Sequence, residues 1–324
     1  MKYQLGAAVL LAAQFTTAVA HPAHAVSSGS TLYAFVANGQ SNSISVIDVA
    51  TDTVTATITG FSLPSNVSIT PSGTMALVAD ADGVRKVSTR TDKIVGSTKG
   101  PGEPWAVGVT PNGKRMYVAD SLKFVYGFNV STLKQTAKIW VGSIPQAVAV
   151  SPDGAHLYVG DYNAAKVASI DPATNKRVTS IPTGKGPLTI AFSPNSATAY
   201  VTNEFSASVT VIDTATSTAT ATIPVGKHPY GVAVSPDGST ALVSQFSEES
   251  IAEIDTATNT VTGTIKVGNG PWNLAYTPDG TQAWVCDYQS AAVSVIDTAT
   301  GTVTHTIPVG TGPISVAFAN VPNG

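Results

Sequence analysis

Ten side chains have the types and placement to do chemistry together. Trp105, Tyr230 and Trp272 each follow a proline that recurs at a fixed spacing, while Tyr162 and Tyr288 each follow an acid, Asp161 or Asp287, at a second recurring position. Glu103, His228 and Glu204 stand beside these same two positions. Aromatic faces with carboxylates at their edges are the composition of a pocket that stacks a ring and fixes it by polar contacts. His228 is the one histidine of five in such a segment, and it is the candidate general base or metal ligand. His21 and His24 lie near the N-terminus, and His156 and His305 align with polar or outward positions of other copies. Tight metal binding needs several convergent ligands, so no cofactor is expected, and a divalent metal enters only under an enzymatic alternative. The chain has no Cys-x-x-Cys-His, no P-loop, no Gly-x-Ser-x-Gly and no His-Glu-x-x-His. The fragment "DADG" (Asp80–Gly83) starts like a calcium loop but lacks the later ligands and reads as a turn. The lone Cys286 falls inside a strand-like run, as a small buried residue.

The elements that must position these residues are set by repetition. The prolines are Pro64, Pro104, Pro145, Pro187, Pro229, Pro271 and Pro313, spaced by 40, 41, 42, 42, 42 and 42 residues. Each unit holds four short runs rich in Val, Ile, Thr, Tyr and Ala, such as Tyr230–Val234, Thr198–Thr202, Val209–Ile212 and Thr218–Ile223, and none has a helical period. Four short antiparallel strands cannot bury both faces alone, so the units must stack. A period near 42 residues per four strands predicts an all-β, seven-bladed β-propeller over residues 30–324. "STLYAFVANG" aligns with a second strand and "TGPISVAFANVPNG" with a first, so Ile314–Phe318 is expected to complete the N-terminal blade and close the ring.

Chain direction sorts the connections. "VGxxP" loops and the loops after the second strand share one face, which varies from unit to unit; "SPDG" and "DTAT" turns share the other, which barely varies. Specificity is expected on the variable face. The residues after the prolines, Ser65, Trp105, Gln146, Leu188, Tyr230, Trp272 and Ile314, should ring the channel mouth. The position holding Asn38, Asp80, Asp120, Asp161, Asn203, Gln245 and Asp287 has two readings, ligand contact or capping of loop backbone.

The phrases "YVTN" (Tyr200–Asn203), "SVTVIDTAT" (Ser208–Thr216), "TATIPVG" (Thr220–Gly226) and "GVAVSPDG" (Gly231–Gly238) resemble the YVTN family of β-propeller repeats. That family is similar to surface-layer-type proteins and exported bacterial seven-bladed propellers. The segments "LVADADGVRKVSTRTDK" and "YVADSLKFVYGFNVSTLKQ" lack the VIDTAT phrase, which leaves their outer strands less defined. The resemblance implies the fold and, through similar seven-bladed propellers, a lactonase- or lyase-like alternative at the channel mouth.

Composition narrows partners. With 43% hydrophobic residues and 11% charged, the surface must be covered by Thr, Ser, Asn and Gly. A net charge of −3 gives no broad basic field, which argues against nucleic acid. Residues 1–25 combine one Lys, an apolar run and small-residue sites ending at Ala20 and Ala25, the layout of a cleaved signal peptide. No other run approaches a membrane span. The expectation is an exported monomer, periplasmic or extracellular. It would act as a binding or interaction scaffold for a small molecule, a cell-envelope polymer or a protein; the alternatives are the enzyme above and a structural cell-surface protein.

Overall fold

The computed structural model describes residues 29–99 and 102–323. The expected signal peptide, with His21 and His24, lies outside them. Among the described residues, 28 strands form seven four-stranded antiparallel sheets arranged as the blades of a propeller. In chain order the second to seventh blades span 66–99, 104–140, 145–182, 187–224, 229–266 and 271–308. The first blade combines residues 30–59 with the C-terminal strand.

Ring closure is more extensive than the alignment suggested. The last strand, Pro313–Pro322, pairs along the whole of Ser30–Asn38, from Ser30 opposite Pro322 to Asn38 opposite Pro313. Beyond it the Asn323 amide donates to the Gly29 carbonyl at 2.7 Å. Both segments with divergent phrases complete four strands, their outermost being Lys93–Lys99 and Gln135–Trp140.

Burial follows from position in the blade. In the fifth blade the third strand, Ser208–Asp213, is buried through Ile212, because both faces meet neighbouring blades. The outermost strand, Thr218–Pro224, buries only Ile223 and leaves its threonines at the surface. β-branched residues fit such pleated surfaces. In every blade the pairing of third and fourth strands slips by one residue at the same place, as at Val211/Ile212 and Val295/Ile296. Such a bulge increases strand twist. The apolar side chains gather in seven cores, each between adjacent blades; Tyr200, Val209 and Ile223, for example, pack on Val232, Val243 and Ile254. Cys286 is fully buried in the core between the seventh and first blades.

The repeated turns lock to one another. In "SPDG" the Ser235 hydroxyl donates to Asp237 at 2.5 Å, and Gly238 takes φ of 79°. The threonine that opens the hairpin between third and fourth strands then reaches back to that turn. Thr256 Oγ1 donates to the Gly238 carbonyl at 2.6 Å, Thr298 to Gly280 at 2.7 Å, and Thr214 to Ser196 at 2.6 Å. Where these letters recur, they hold the end of the blade together.

Candidate functional site

On the opposite face two loops are sewn to each other in each blade. The amide after the second strand donates to a carbonyl of the "VGxxP" loop: Glu204 to Gly186 at 2.9 Å, Phe246 to His228 at 3.1 Å, Tyr288 to Gly270 at 3.0 Å. Beneath this seam sits the recurring Asn or Asp, and all seven residues at that position are buried. Asp161 accepts from the Ser143 and Ile144 amides at 3.0 to 3.2 Å. Asn203 Nδ2 donates to Ser208 at 3.2 Å and to Thr210 at 2.9 Å. Asp80 is held by Arg85 at 2.9 Å and by the Asp82 amide in a turn, as the "DADG" reading required. The glycine of "VG" passes directly over this residue; a Cβ on Gly184 would come within 2.7 Å of Asn203 Cβ. Asn or Asp below and Gly above are two halves of one packing solution.

Two of the ten candidates therefore belong to the frame. Asp287 is fully buried, accepts from the Ser294 hydroxyl at 2.6 Å, and leaves Oδ1 without a partner. Burial pushes its carboxyl up to about 7, against the lowering effect of Ser294. Asp161, 5% exposed, caps backbone. Neither reaches the channel mouth, because the second strand ends below the loop that covers it; Asp161 takes the capping role, while Asp287 is bonded to Ser294 of the third strand.

The other eight lie on the variable face, seven of them in two groups that share Trp272 and Tyr288. An aromatic row runs over the sixth and seventh blades. Tyr230 stacks on Phe246 with ring centres 4.8 Å apart, meets the edge of Trp272 at 4.6 Å, and Trp272 leads to Tyr288 at 5.0 Å. The row ends where Gln40 Nε2 donates to the Tyr288 hydroxyl at 2.8 Å. At the other end, the Glu204 carboxylate takes hydrogen bonds from the hydroxyls of Tyr162 and, at 3.3 Å, Tyr230. Burial first, then the Glu204 charge, raises both phenols, Tyr230 to about 12, so both remain donors near neutral pH.

The second group surrounds open space. A cavity of about 310 Å³ at the channel mouth is lined by Trp105, Trp272, Tyr288, Leu63 and Ile314, with Glu103 at its edge. The channel below, about 440 Å³, is walled by the innermost strands, including Gln146, Leu188 and Asn273. Six of the seven residues expected to ring the mouth line this channel; the seventh, Tyr230, turns instead toward Glu204 and Phe246. Phe246, Leu63 and Gln40 join the site without standing among the ten. The aromatic that follows the second strand in several units is the signal that pointed to Phe246, whereas nothing in the repeat singled out Gln40.

His228 stands apart from both groups. Its Nδ1 is 2.7 Å from Ser247 Oγ, and its backbone takes φ of 53°, at a place where Gly186, Gly270 and Gly312 occupy other blades. A side chain there is held against the backbone's preference. Among the described residues no three of His, Cys, Asp and Glu come together as metal ligands.

The comparisons agree with this architecture. A family described as lactonase, seven-bladed β-propeller, matches residues 171–318. No curated protein sequence matches the chain. Among solved structures, hydrazine synthase from Kuenenia stuttgartiensis is 21% identical over 80% of this chain and 90% of its own, with a TM-score of 0.72. A functionally unknown protein from Desulfotomaculum acetoxidans is 17% identical over 89% and 99%, with a TM-score of 0.79. The dihydro-heme d1 dehydrogenase NirN, solved in complex with DHE, is 16% identical over 88% and 74%, with a TM-score of 0.67. At these identities the structures share the fold alone, and the chain is a seven-bladed propeller similar to the lactonase family over that span.

Proposed function

We propose that this protein is a binding propeller that holds a flat, apolar ring bearing a cationic or hydrogen-bond-donating group at the mouth of its channel. One observation carries the reading: the mouth cavity of about 310 Å³ is walled by two tryptophans and a tyrosine, and among the described residues its only ionisable lining group besides that phenol is Glu103. Tryptophan faces attract cations and stack on rings. A lone carboxylate at the edge repels anions. Such a ligand is a small molecule or the end group of an envelope polymer or protein. Outside the cytoplasm, after cleavage behind Ala20 or Ala25, the monomeric mature chain of this YVTN-like propeller would meet such ligands. A thermal-shift screen of neutral, cationic and anionic ring compounds tests this reading, since ligands that bind only the native state raise Tm. Neutral or cationic rings should stabilise; stabilisation confined to anions contradicts it.

The match to the lactonase family over residues 171–318 favours a second reading, hydrolysis or elimination on a cyclic ester, with His228 beside Ser247 as the base. Turnover of a lactone panel, with and without divalent metal, that is lost in His228→Gln would establish it, and absence of turnover would remove it.

A further inference from the structure

The net charge of −3 conceals a strong separation. Residues 64–182, the second to fourth blades, carry 13 of the 17 Lys and Arg but only 8 of the 20 Asp and Glu, a net charge of +5. The remaining described residues carry −9. These three blades are consecutive around the ring, joined through shared cores. Five of these 13 cations, and none of the 8 acids, lie on the outermost strands at the circumference. Their outermost strands, Lys93–Lys99, Gln135–Trp140 and Lys176–Pro182, expose Lys93, Lys99, Lys138 and Lys176. The other four outermost strands read Thr53–Thr59, Thr218–Pro224, Thr260–Lys266 and Thr302–Pro308, with Lys266 their one permanent cation.

The same three strands expose apolar side chains. Val95 is 52% exposed, Trp140 58% and Val178 65%. Trp140 is held outward: the Arg177 guanidinium of the next blade lies 5.4 Å from its ring centre, while Arg177 Nη1 donates to the Val141 carbonyl at 3.0 Å. Lys138 similarly sits 4.2 Å over the Phe124 ring. Apolar and cationic groups alternating along one edge suit the boundary of an anionic bilayer, where the indole and valines enter the headgroup layer and lysines meet phosphates. A soluble polyanion would use the lysines and gain little from an exposed Trp140 or Val178. We infer that the rim of the second to fourth blades docks this protein, edge-on, to a membrane surface rich in anionic lipid.

The test is co-sedimentation with phosphatidylcholine vesicles, with and without one third phosphatidylglycerol. It compares variants sharing one N-terminus, so that this segment contributes equally to all. Binding should require phosphatidylglycerol and weaken steeply with salt. The triple change Lys93→Glu, Lys138→Glu, Lys176→Glu should reduce it by roughly 100-fold or more, and Trp140→Ala by about 10-fold. The pair Lys227→Glu, Lys266→Glu, outside this arc, should leave it within about twofold, with Tm confirming that every variant is folded. Equal loss in that pair would mean net charge alone, and binding to soluble heparin but not to vesicles would mean a polymer site. Either result, or no vesicle binding at all, overturns the inference.

Discussion

Asp287 shows how much a single buried carboxyl can reveal. Its folded pKa of about 7 lies above the ~3.9 of an exposed aspartate, so the native state holds the proton more tightly than the unfolded chain does. Its contribution to stability is therefore fully present below about pH 4, is lost as pH rises toward 7, and is constant above that. Asn38 and Asn203 occupy the same position in other blades and donate to the serine or threonine that faces them. Asp287→Asn should restore that pattern opposite Ser294. Relative to wild type, its Tm should rise by roughly 2 °C per pH unit between 4 and 7. Parallel Tm curves for the two proteins would show that this carboxyl ionises normally. The paired glycine gives a steric counterpart. Gly184→Ala should destabilise by about 1 to 3 kcal/mol, because the added Cβ meets Asn203, and unchanged denaturant midpoints would refute that packing. The sequence showed that a polar residue recurs here but left its role open, since ligand contact and capping select the same letters. Only the depth of the strand end below its covering loop separates them.

At the scale of the element, strands and turns were legible because each has a local physical cause. Proline before the inner strand, Asp and Gly in its turn, and Thr-rich outer strands place nearly every boundary, and even the divergent second and third blades kept the frame. Closure was legible from the offset between the chain ends, but its extent was not: the alignment covers Ile314–Phe318, while pairing continues to Pro322. Deleting Pro313–Gly324 would expose the Ser30–Asn38 edge and uncover Phe35, Ala37 and Val36. The shortened chain should aggregate or lose most of its thermal stability, and a monomer unfolding at the wild-type temperature would show that the ring closes without this strand. The N-terminal element is checked separately: exported protein should begin at His21 or Val26, and material beginning at Met1 would remove the proposed location.

Across the whole molecule, repetition and difference divide the labour. The face of "SPDG" and "DTAT" turns spends its polar side chains on internal latches, whereas the opposite face carries the aromatic row, the mouth cavity and Glu103. That division was readable from which letters change. The grouping was not, because convergence of Leu63, Trp105 and Tyr288 from three blades depends on ring geometry, and charge separation disappears when cations and acids are summed over the chain. The central claim is recognition on the variable face, and it is met most directly by titrating N-methylquinolinium, a flat cation that quenches tryptophan, into wild type, Trp272→Ala and Asp237→Ala. An aromatic anchor is commonly worth ~2 kcal/mol or more, so Trp272→Ala should weaken binding by well over tenfold while Asp237→Ala leaves it intact. Absence of binding to wild type, or binding lost in Asp237→Ala and kept in Trp272→Ala, would contradict the account.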